Sequence, residues 1–413
     1  MDGALPQDLG DGLVLRRASP DDVEDVVAVE VAAFGASDEP GVRAALTGPG
    51  ASVADWTVVT DADGTVVAAS ALLDHVLEVD GAPVPVSQIE YVATDPRHQR
   101  RGLVRRQVDE HHAEADRRGA LATLIGGIPY FYRRFGYGYG LDFPRLVLPD
   151  PERLRPDPAV TVRLAHEADV DVLVELDRTL RLRHGVLARR TAATWRNHLS
   201  ACTDAEWERI VVAERAGAPV GLAGLSIIGD EHRLELDPSL AADDGVSDAL
   251  VAWMLADADA RRLLPVAYVP AGTAHGARLA AIGGEVPYGL GLYVRVPDPV
   301  RLLDALRPVL SERLAASRYG ARDDTVHLSL YATGVELVLS GGAVTEVLPA
   351  PGVEDPFDEV GVGIAPDWFG ALVFGRWGAQ GLADRIDDVT LGRRAGLMEA
   401  LFPRLDADVV GVL

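Results

Sequence analysis

The sequence has few of the residues that support disulfide bonding and lacks the long apolar run of a membrane helix. Its single cysteine, Cys202, has no partner for an intramolecular disulfide or a thiolate metal site, which fits a reducing compartment. We interpret it as a small buried hydrophobe. No stretch of about 18 uninterrupted apolar residues occurs, which excludes a bilayer-spanning helix. Residues 1–12 lack the basic and apolar regions of a secretory signal, so we expect a cytoplasmic protein.

Positive charge is also scarce. The chain has 39 basic against 63 acidic residues, a formal net charge of -24. Such a surface repels nucleic acid phosphates and anionic membranes, so we expect neither as a partner, whereas a cationic amine suits this field. Acidity that only maintains solubility gives the same composition, and net charge alone does not separate the two.

Length and hydrophobic content describe a multidomain globular protein. The 413 residues, 48% of them hydrophobic, suffice for two to four domains of about 100 to 200 residues each. An internal duplication divides the first part, because three landmarks recur at an offset of roughly 140 to 150 residues. The matched landmarks are residues 13–30 with 160–177, Asp95-Pro96 with Asp237-Pro238, and Pro149-Asp150-Pro151 with Pro297-Asp298-Pro299.

The order of predicted elements gives the fold class. Each copy reads strand, helix, strands, loop, helix, strand, so we predict a mixed α/β (α+β) fold with a central sheet, in domains 1–150 and 151–298. Residues 299–413 read as a third α+β domain. It begins with one helix over 300–317, continues with three short strands, and ends with helices starting at Pro366 and spanning 381–401.

Residues 89–119 carry the most informative pattern. A strand bends at Pro96, passes through an arginine-rich loop containing Gly102, and enters a helix. Glycine allows close backbone approach, and the N–H groups at a helix start form an anion nest that arginines reinforce. The loop therefore predicts a diphosphate site, with an ordinary arginine-rich helix start as the alternative.

This loop resembles the acetyl-CoA signature of the GNAT acetyltransferase superfamily, Q/R-x-x-G-x-G/A. Gln99, Gly102 and Val104 occupy the signature positions, and Val104 departs from the usual glycine or alanine. The resemblance implies acetyl-CoA as cosubstrate, with pantetheine along the strand backbone, and no metal. The predicted acetyl-CoA residues are Val92, Ala93, Thr94, Gln99, Arg100, Arg101, Gly102, Leu103, Val104, Arg105, Gly127 and Ile128.

The second copy differs at the equivalent loop. Ala242, Asp243 and Asp244 replace the arginines, and carboxylates repel a pyrophosphate. We therefore expect the second domain to be a structural wall without cofactor.

Residues 126–140 combine tyrosines and glycines, and Tyr132-Arg133-Arg134-Phe135-Gly136-Tyr137-Gly138 is similar to the motif of the enhanced intracellular survival (Eis) family of N-acetyltransferases. The resemblance covers essentially the whole chain. It implies tandem acetyltransferase folds, the second degenerate, then a sterol-carrier-protein-like domain. It further implies a hexamer that acetylates aminoglycosides, polyamines or protein lysines. By the same resemblance, Tyr132 is the general acid and the carboxylate of the last residue, Leu413, is the general base.

Several alternatives stay open at this level. Glu90, on the cofactor strand, is a second candidate base acting through water. The family resemblance places an amine pocket near Glu30, Phe34, Asp38 and Glu39, although each also reads as a solvated residue. We expect direct transfer, with the oxyanion near the Val92 N–H. Rival functions are a non-catalytic acyl-CoA or lipid-binding regulator and a protein-lysine acetyltransferase.

Overall fold

The computed structural model describes residues 5–142, 145–181, 184–201, 208–228, 232–286, 291–353 and 361–409. Three sheets of ten, seven and five strands organise these residues. The predicted mixed α/β fold is confirmed. Cys202 and Leu413 lie outside the described residues. No helix in the described ranges is long and apolar enough to cross a membrane.

The first section of chain alternates long strands with amphipathic helices. Glycines in left-handed or otherwise unusual backbone conformations follow α1 at Gly35 and end α3 at Gly119. The elements are β1 (Gln7–Gly10), β2 (Leu13–Arg17), α1 (Val23–Phe34), α2 (Glu39–Thr47), β3 (Trp56–Thr60), β4 (Val66–Val79), β5 (Ala82–Thr94), α3 (Leu103–Arg118), β6 (Ala122–Ile125) and β7 (Gly138–Asp142).

The second section repeats this order. Its elements are β8 (Arg145–Pro149), β9 (Val160–Leu164), α4 (Val170–Leu180), β10 (Val186–Ala188), α5 (Ala192–Ala201), β11 (Glu208–Arg215), β12 (Ala218–Ile228), β13 (Arg233–Ala241), α6 (Asp244–Arg261), β14 (Leu264–Val269), α7 (Ala274–Ile282), β15 (Gly283–Val286) and β16 (Gly291–Arg295).

The third section contains short helices around the five-stranded sheet. Its elements are α8 (Pro299–Ala305), α9 (Arg307–Ala316), β17 (Asp324–Ser329), β18 (Thr333–Ser340), β19 (Ala343–Pro351), β20 (Val362–Ile364), α10 (Pro366–Val373), α11 (Gly378–Ala383), β21 (Val389–Thr390), α12 (Ala395–Leu401) and β22 (Ala407–Asp408). The three predicted strands correspond to β17, β18 and β19.

Two helices predicted in the third section are wrong in extent. The helix over 300–317 is two helices, α8 and α9, that meet at Leu306. The helix over 381–401 is interrupted between α11 and α12 by the short strand β21. The break has a packing reason, because β21 pairs with β20 and extends the third sheet.

The two large sheets share one strand order, and they exchange a strand. The first runs β2-β3-β4-β5-β6-β16-β7 and the second β9-β11-β12-β13-β14-β8-β15. Relative to the predicted boundary near residue 150, the sixth position of each sheet is filled from the other domain: β16 of 151–298 lies between β6 and β7, and β8 of 1–150 lies between β14 and β15. The sheets therefore do not divide at a single point near residue 150, and the independence of 1–150 and 151–298 stays a prediction.

A matched set of contacts supports the duplication at residue level. At the start of α1, Arg16 donates to both Asp22 oxygens at 2.7 Å, and the Ser19 amide donates to the same carboxylate. Before α4, Arg163 donates to Asp169 at 2.8 Å and the His166 amide does likewise. In both copies the carboxylate belongs to the N-cap residue of the α-helix, where the helix dipole favours negative charge.

Candidate functional site

The site begins where β5 and β6 separate. The two strands pair in parallel from Val86–Ile89 with Ala122–Ile125, and then β6 ends while β5 continues to Thr94. Among the described strands, none pairs with this edge of β5 beyond Ile89. The backbone groups of 92–94 are thus available to hydrogen-bond an extended ligand such as pantetheine.

A cavity of about 1020 Å³ opens from this separation toward the start of α3. Its volume suits a cofactor rather than a single small metabolite. Ten of the predicted acetyl-CoA residues line it: Val92, Ala93, Thr94, Gln99, Arg100, Gly102, Leu103, Val104, Arg105 and Ile128. Arg101 and Gly127 are not among its lining residues.

The start of α3 has the backbone geometry of an anion nest. Arg100 and Gly102 adopt left-handed conformations, with φ of 63° and 79°, and within the described ranges no side chain caps the helix. The first N–H groups of α3 therefore lack an intrahelical partner. Arg100 and Arg105 supply positive charge at the cavity wall. The Arg101 guanidinium instead donates to Asp11 at 3.1 Å.

The second copy fills the equivalent position with its own anion. Only Ala242 and Asp243 separate β13 from α6, and the Asp243 carboxylate accepts the Val246 amide at 3.1 Å and pairs with Arg215. The helix N-terminus is thus already capped by a carboxylate. The two matched dipeptides differ in position: Asp237-Pro238 lies inside β13, whereas Asp95-Pro96 follows β5.

The opposite wall of the cavity comes from α1 and from the turn after β6. Small apolar residues of α1, among them Ala28 and Ala32, let the helix approach, while Phe34 is 41% exposed at the cavity. Phe131, Arg134 and Phe135 contribute from the turn. The sequence analysis named Phe34 for the amine pocket but not Ala28 and Ala32, although alanines recurring on one face of α1 indicated a helix that packs closely.

Glu90 and Tyr132 lie beside two adjacent glycines, Gly126 and Gly127 respectively. A side chain at Gly126 would meet a Glu90 carboxylate oxygen at 3.8 Å, and one at Gly127 would meet the Tyr132 ring at 3.7 Å. Burial, with the negative charge of Glu90, raises the pKa of Tyr132 to about 12, so its phenol keeps a proton that it can donate. Burial also raises the pKa of Glu90.

Glu30 is fully buried on α1, and neither of its carboxylate oxygens has a hydrogen-bond partner among the residues that the structure describes. Desolvation, with the charges of Asp38 and Glu90, raises the pKa of Glu30 to about 9. The structure thus brings Glu30, Asp38 and Glu90 within electrostatic range of each other. Glu39 differs, because it pairs with Arg43 at 2.8 Å at the surface.

Tyr293 is a residue that the sequence analysis did not single out. It lies on the exchanged strand β16, is fully buried, and packs against the Tyr132 ring at a centroid distance of 5.8 Å. Its hydroxyl accepts the Tyr130 amide at 2.5 Å and donates to the Tyr139 hydroxyl at 2.8 Å. A contact across 163 residues leaves no local signal in the sequence.

The adjacent histidines of α3 have hydroxyl partners. His111 lies 2.8 Å from the Ser70 hydroxyl, and His112 lies 2.9 Å from that of Tyr137. Burial lowers the pKa of each imidazole to about 3, which keeps both neutral. No group of three metal-binding side chains occurs in the part of the chain that the structure describes.

Comparison with known proteins agrees with this geometry. Residues 14–140 match the acetyltransferase (GNAT) domain family. A search of curated proteins finds no matching sequence.

Two of the similar solved structures cover nearly the whole chain, and a third covers less. A GCN5-related N-acetyltransferase from Kribbella flavida has 18% identity and a TM-score of 0.64, covering 97% of this chain and 98% of its own. Eis1 from Mycobacterium abscessus has 16% identity and a TM-score of 0.61, covering 96% and 98%. Saccharomyces cerevisiae N-myristoyltransferase with bound myristoyl-CoA has 14% identity and a TM-score of 0.53, covering 71% and 85%.

At these identities the structural similarities establish the fold, while the sequence match identifies the domain. That domain contains β5, the α3 loop and the turn with Tyr132, which are the elements that build the cavity. Residues 14–140 are a GNAT acetyltransferase domain, and by this domain the chain is an acyl-CoA-dependent N-acetyltransferase.

Proposed function

We propose that the protein transfers an acetyl group from acetyl-CoA to a primary amine in a single ternary complex. The observation that carries this proposal is the cavity that joins the uncapped start of α3 to the open edge of β5. The pyrophosphate would lie on residues 99–105, where N–H groups and arginines converge. Pantetheine would follow 92–94 toward Glu90 and Tyr132.

In the reaction, the neutral amine nitrogen attacks the thioester carbonyl carbon. A C–N bond forms, the oxyanion is stabilised near the Val92 N–H, and the C–S bond then breaks. Tyr132 donates its phenolic proton to the departing thiolate. Its high pKa supports this role, because the proton is retained at neutral pH.

The amine must lose a proton, and we propose Glu90 as an acceptor that acts directly or through water. Its raised pKa makes it a stronger base than a surface carboxylate. The Leu413 carboxylate, expected from the family resemblance, is the competing proposal. Removal of that residue separates the two.

We propose a cationic amine of the aminoglycoside or polyamine type as acceptor. Glu30 supports this class, since a buried carboxyl without a partner gains a favourable interaction when an ammonium group approaches. The net charge of -24 attracts the same ligands over a longer range. A protein lysine carries the same ammonium group and is the second acceptor class.

The similarity to Eis1 over the whole length supports a wider proposal. We propose that the chain is Eis-like, with an active domain 1–150, a degenerate copy 151–298 and a sterol-carrier-like domain 299–413. We further propose that it acts in the cytoplasm as a homo-oligomer, up to a hexamer.

The test is thiol release from acetyl-CoA with aminoglycosides, diamines and lysine peptides. We expect Tyr132→Phe to lower kcat by about 100-fold with an unchanged KM for acetyl-CoA. The chain contains no lysine, its basic residues being arginine, so any acetyl-lysine formed belongs to the peptide. Tight acetyl-CoA binding without thiol release would instead favour an acyl-CoA sensor.

The base is assigned in the same assay. Glu90→Gln and a chain lacking Leu413 are compared as kcat against pH. If the decrease of kcat at low pH disappears in one variant but persists in the other, the residue changed in the first variant is the proton acceptor. Activity that survives both changes would assign deprotonation to solvent.

A further inference from the structure

We propose that Tyr293, from the second copy, is a positioning residue for Tyr132 of the first. This inference rests on the proposed role of Tyr132 as general acid. Its basis is that β16 inserts between β6 and β7 and brings a buried phenol beneath the turn that carries Tyr132.

The turn 131–135 has no side-chain cap at its entry within the described chain. It is a short 3-10 helix flanked by Tyr130 and Gly136, with left-handed φ values of 68° and 85°. Tyr130 is 75% exposed, so side-chain burial does not hold it in this conformation. A left-handed conformation is costly for a residue with a Cβ atom, and it persists when surrounding contacts fix it.

The Tyr293 hydroxyl provides such a contact. It accepts the Tyr130 N–H at 2.5 Å, at the residue where the turn begins. The Tyr293 ring also packs edge-on against the Tyr132 ring, with the ring centroids 5.8 Å apart, and so restricts where the Tyr132 phenol can lie. One side chain therefore fixes both the backbone entry of the turn and the ring of the proposed acid.

Tyr293 is itself held on its other side. Its ring stacks on Tyr139 at 4.1 Å, and its hydroxyl donates to the Tyr139 oxygen at 2.8 Å. Arg376 of the third section lies over the Tyr139 ring at 5.5 Å and pairs with Asp142. Side chains from all three sections of the chain thus converge behind Tyr132.

The decisive variant is Tyr293→Phe, which keeps the ring and removes the hydroxyl. We expect amide hydrogen exchange at Tyr130 to rise at least about tenfold, because its acceptor is gone. We expect kcat to fall about tenfold with the acetyl-CoA KM within about twofold, because a misplaced acid affects the chemical step. The solvent deuterium isotope effect on kcat should rise as proton transfer to sulfur becomes slower.

Two variants serve as controls. Tyr139→Phe leaves the bond between Tyr130 and Tyr293 in place, so exchange at Tyr130 should remain at the wild-type rate. Tyr331→Phe removes a hydroxyl that donates to the Asp388 carbonyl in the third section, and should change neither readout.

The proposal is overturned if Tyr293→Phe leaves exchange at Tyr130 and kcat within about twofold of wild type. It is also overturned if kcat falls only in proportion to the folded fraction, with an unchanged isotope effect, because that result describes a structural role alone. Failure of the proposed function is distinguishable, since wild type would then release no thiol while the exchange measurement still reports the contact.

Discussion

Glu30 couples the stability of the first copy to pH. Its folded-state pKa of about 9 lies above the ordinary value of 4.5, so the folded chain holds a proton that the unfolded chain releases between these values. The contribution of protonated Glu30 to the free energy of unfolding is therefore complete below about pH 4.5, and it is lost as the pH rises toward 9.

We predict that Glu30→Gln becomes progressively more stable than wild type from about pH 5 to about pH 9. Glutamine has no proton to lose, and the difference in Tm should grow by roughly 2 °C or more. Thermal unfolding at about pH 5, 7 and 9 measures it. Glu24→Gln, at an exposed glutamate, is the control and should show no such trend. A constant difference across the range would contradict the assignment.

Functional residues whose role follows from their neighbours in the chain could be identified from the sequence. Gly102 was identified because a glycine between arginines, directly before a helix, is typical of an anion-binding loop. Tyr132 was identified only through a family motif. Tyr293 and the burial of Glu30 were not accessible, because both depend on which strand or helix packs against them. Such packing is decided by long-range contacts.

At the element scale, the two ends of α3 offer a matched comparison. Gly102 and Gly119 have nearly equal left-handed φ values of 79° and 81°, and a Cβ atom would meet nothing within 4 Å at either position. The backbone cost of an alanine is therefore the same at both ends, but only Gly102 lies at the cavity.

We predict that Gly102→Ala and Gly119→Ala each reduce the free energy of unfolding by about 1 to 2 kcal/mol. Only Gly102→Ala should weaken acetyl-CoA binding, by about tenfold or more, because the nest amides shift. Calorimetric titration and urea unfolding separate the effects. Equal affinity in both variants would show that the cofactor phosphates bind elsewhere.

Element boundaries were the weaker part of the sequence prediction. Asp237-Pro238 was matched by its sequence to Asp95-Pro96, which follows β5, yet it lies inside β13 at an irregularity of the pairing with β12. The predicted helix over 381–401 was divided by β21 for the sake of sheet pairing. Tertiary contacts decided both cases against local pattern.

At the scale of the whole molecule, the strand exchange joins the two copies. A fragment of residues 1–150 would lack β16, leaving β6 and β7 with unpaired edges and β8 without its sheet. We predict that this fragment aggregates or shows no cooperative melting, whereas the chain 1–413 melts cooperatively. Gel filtration and circular dichroism decide it. A monomeric fragment with a sharp transition would contradict this prediction.

A buried ion network attaches the end of the described chain to the second copy. Arg190, 7% exposed, donates to Asp177 of α4 and to Asp408 of β22, both at 2.8 Å. Arg181 donates to the same Asp408 at 2.6 Å. Through β10, this network also borders the edge of β4 in the first sheet.

We predict that Arg190→Ala lowers the free energy of unfolding by about 3 to 5 kcal/mol, because two buried carboxylates lose a shared partner. Arg178→Ala, which breaks an exposed pair with Glu175 on α4, should cost at most about 1 kcal/mol. Urea unfolding measures both. Equal losses would mean that Arg181 alone compensates the carboxylates.

The exchanged strand also determines when, during translation, the first sheet can be completed. When residue 125 leaves the ribosome, β6 exists without its neighbour β16, which is not yet made. At about 5 to 20 residues per second, the growing chain waits on the order of 10 to 30 s before residue 295 emerges. During that interval the first sheet is open at one side. The acetyltransferase domain, although it comes first in the gene, can be completed only after most of the protein has been translated.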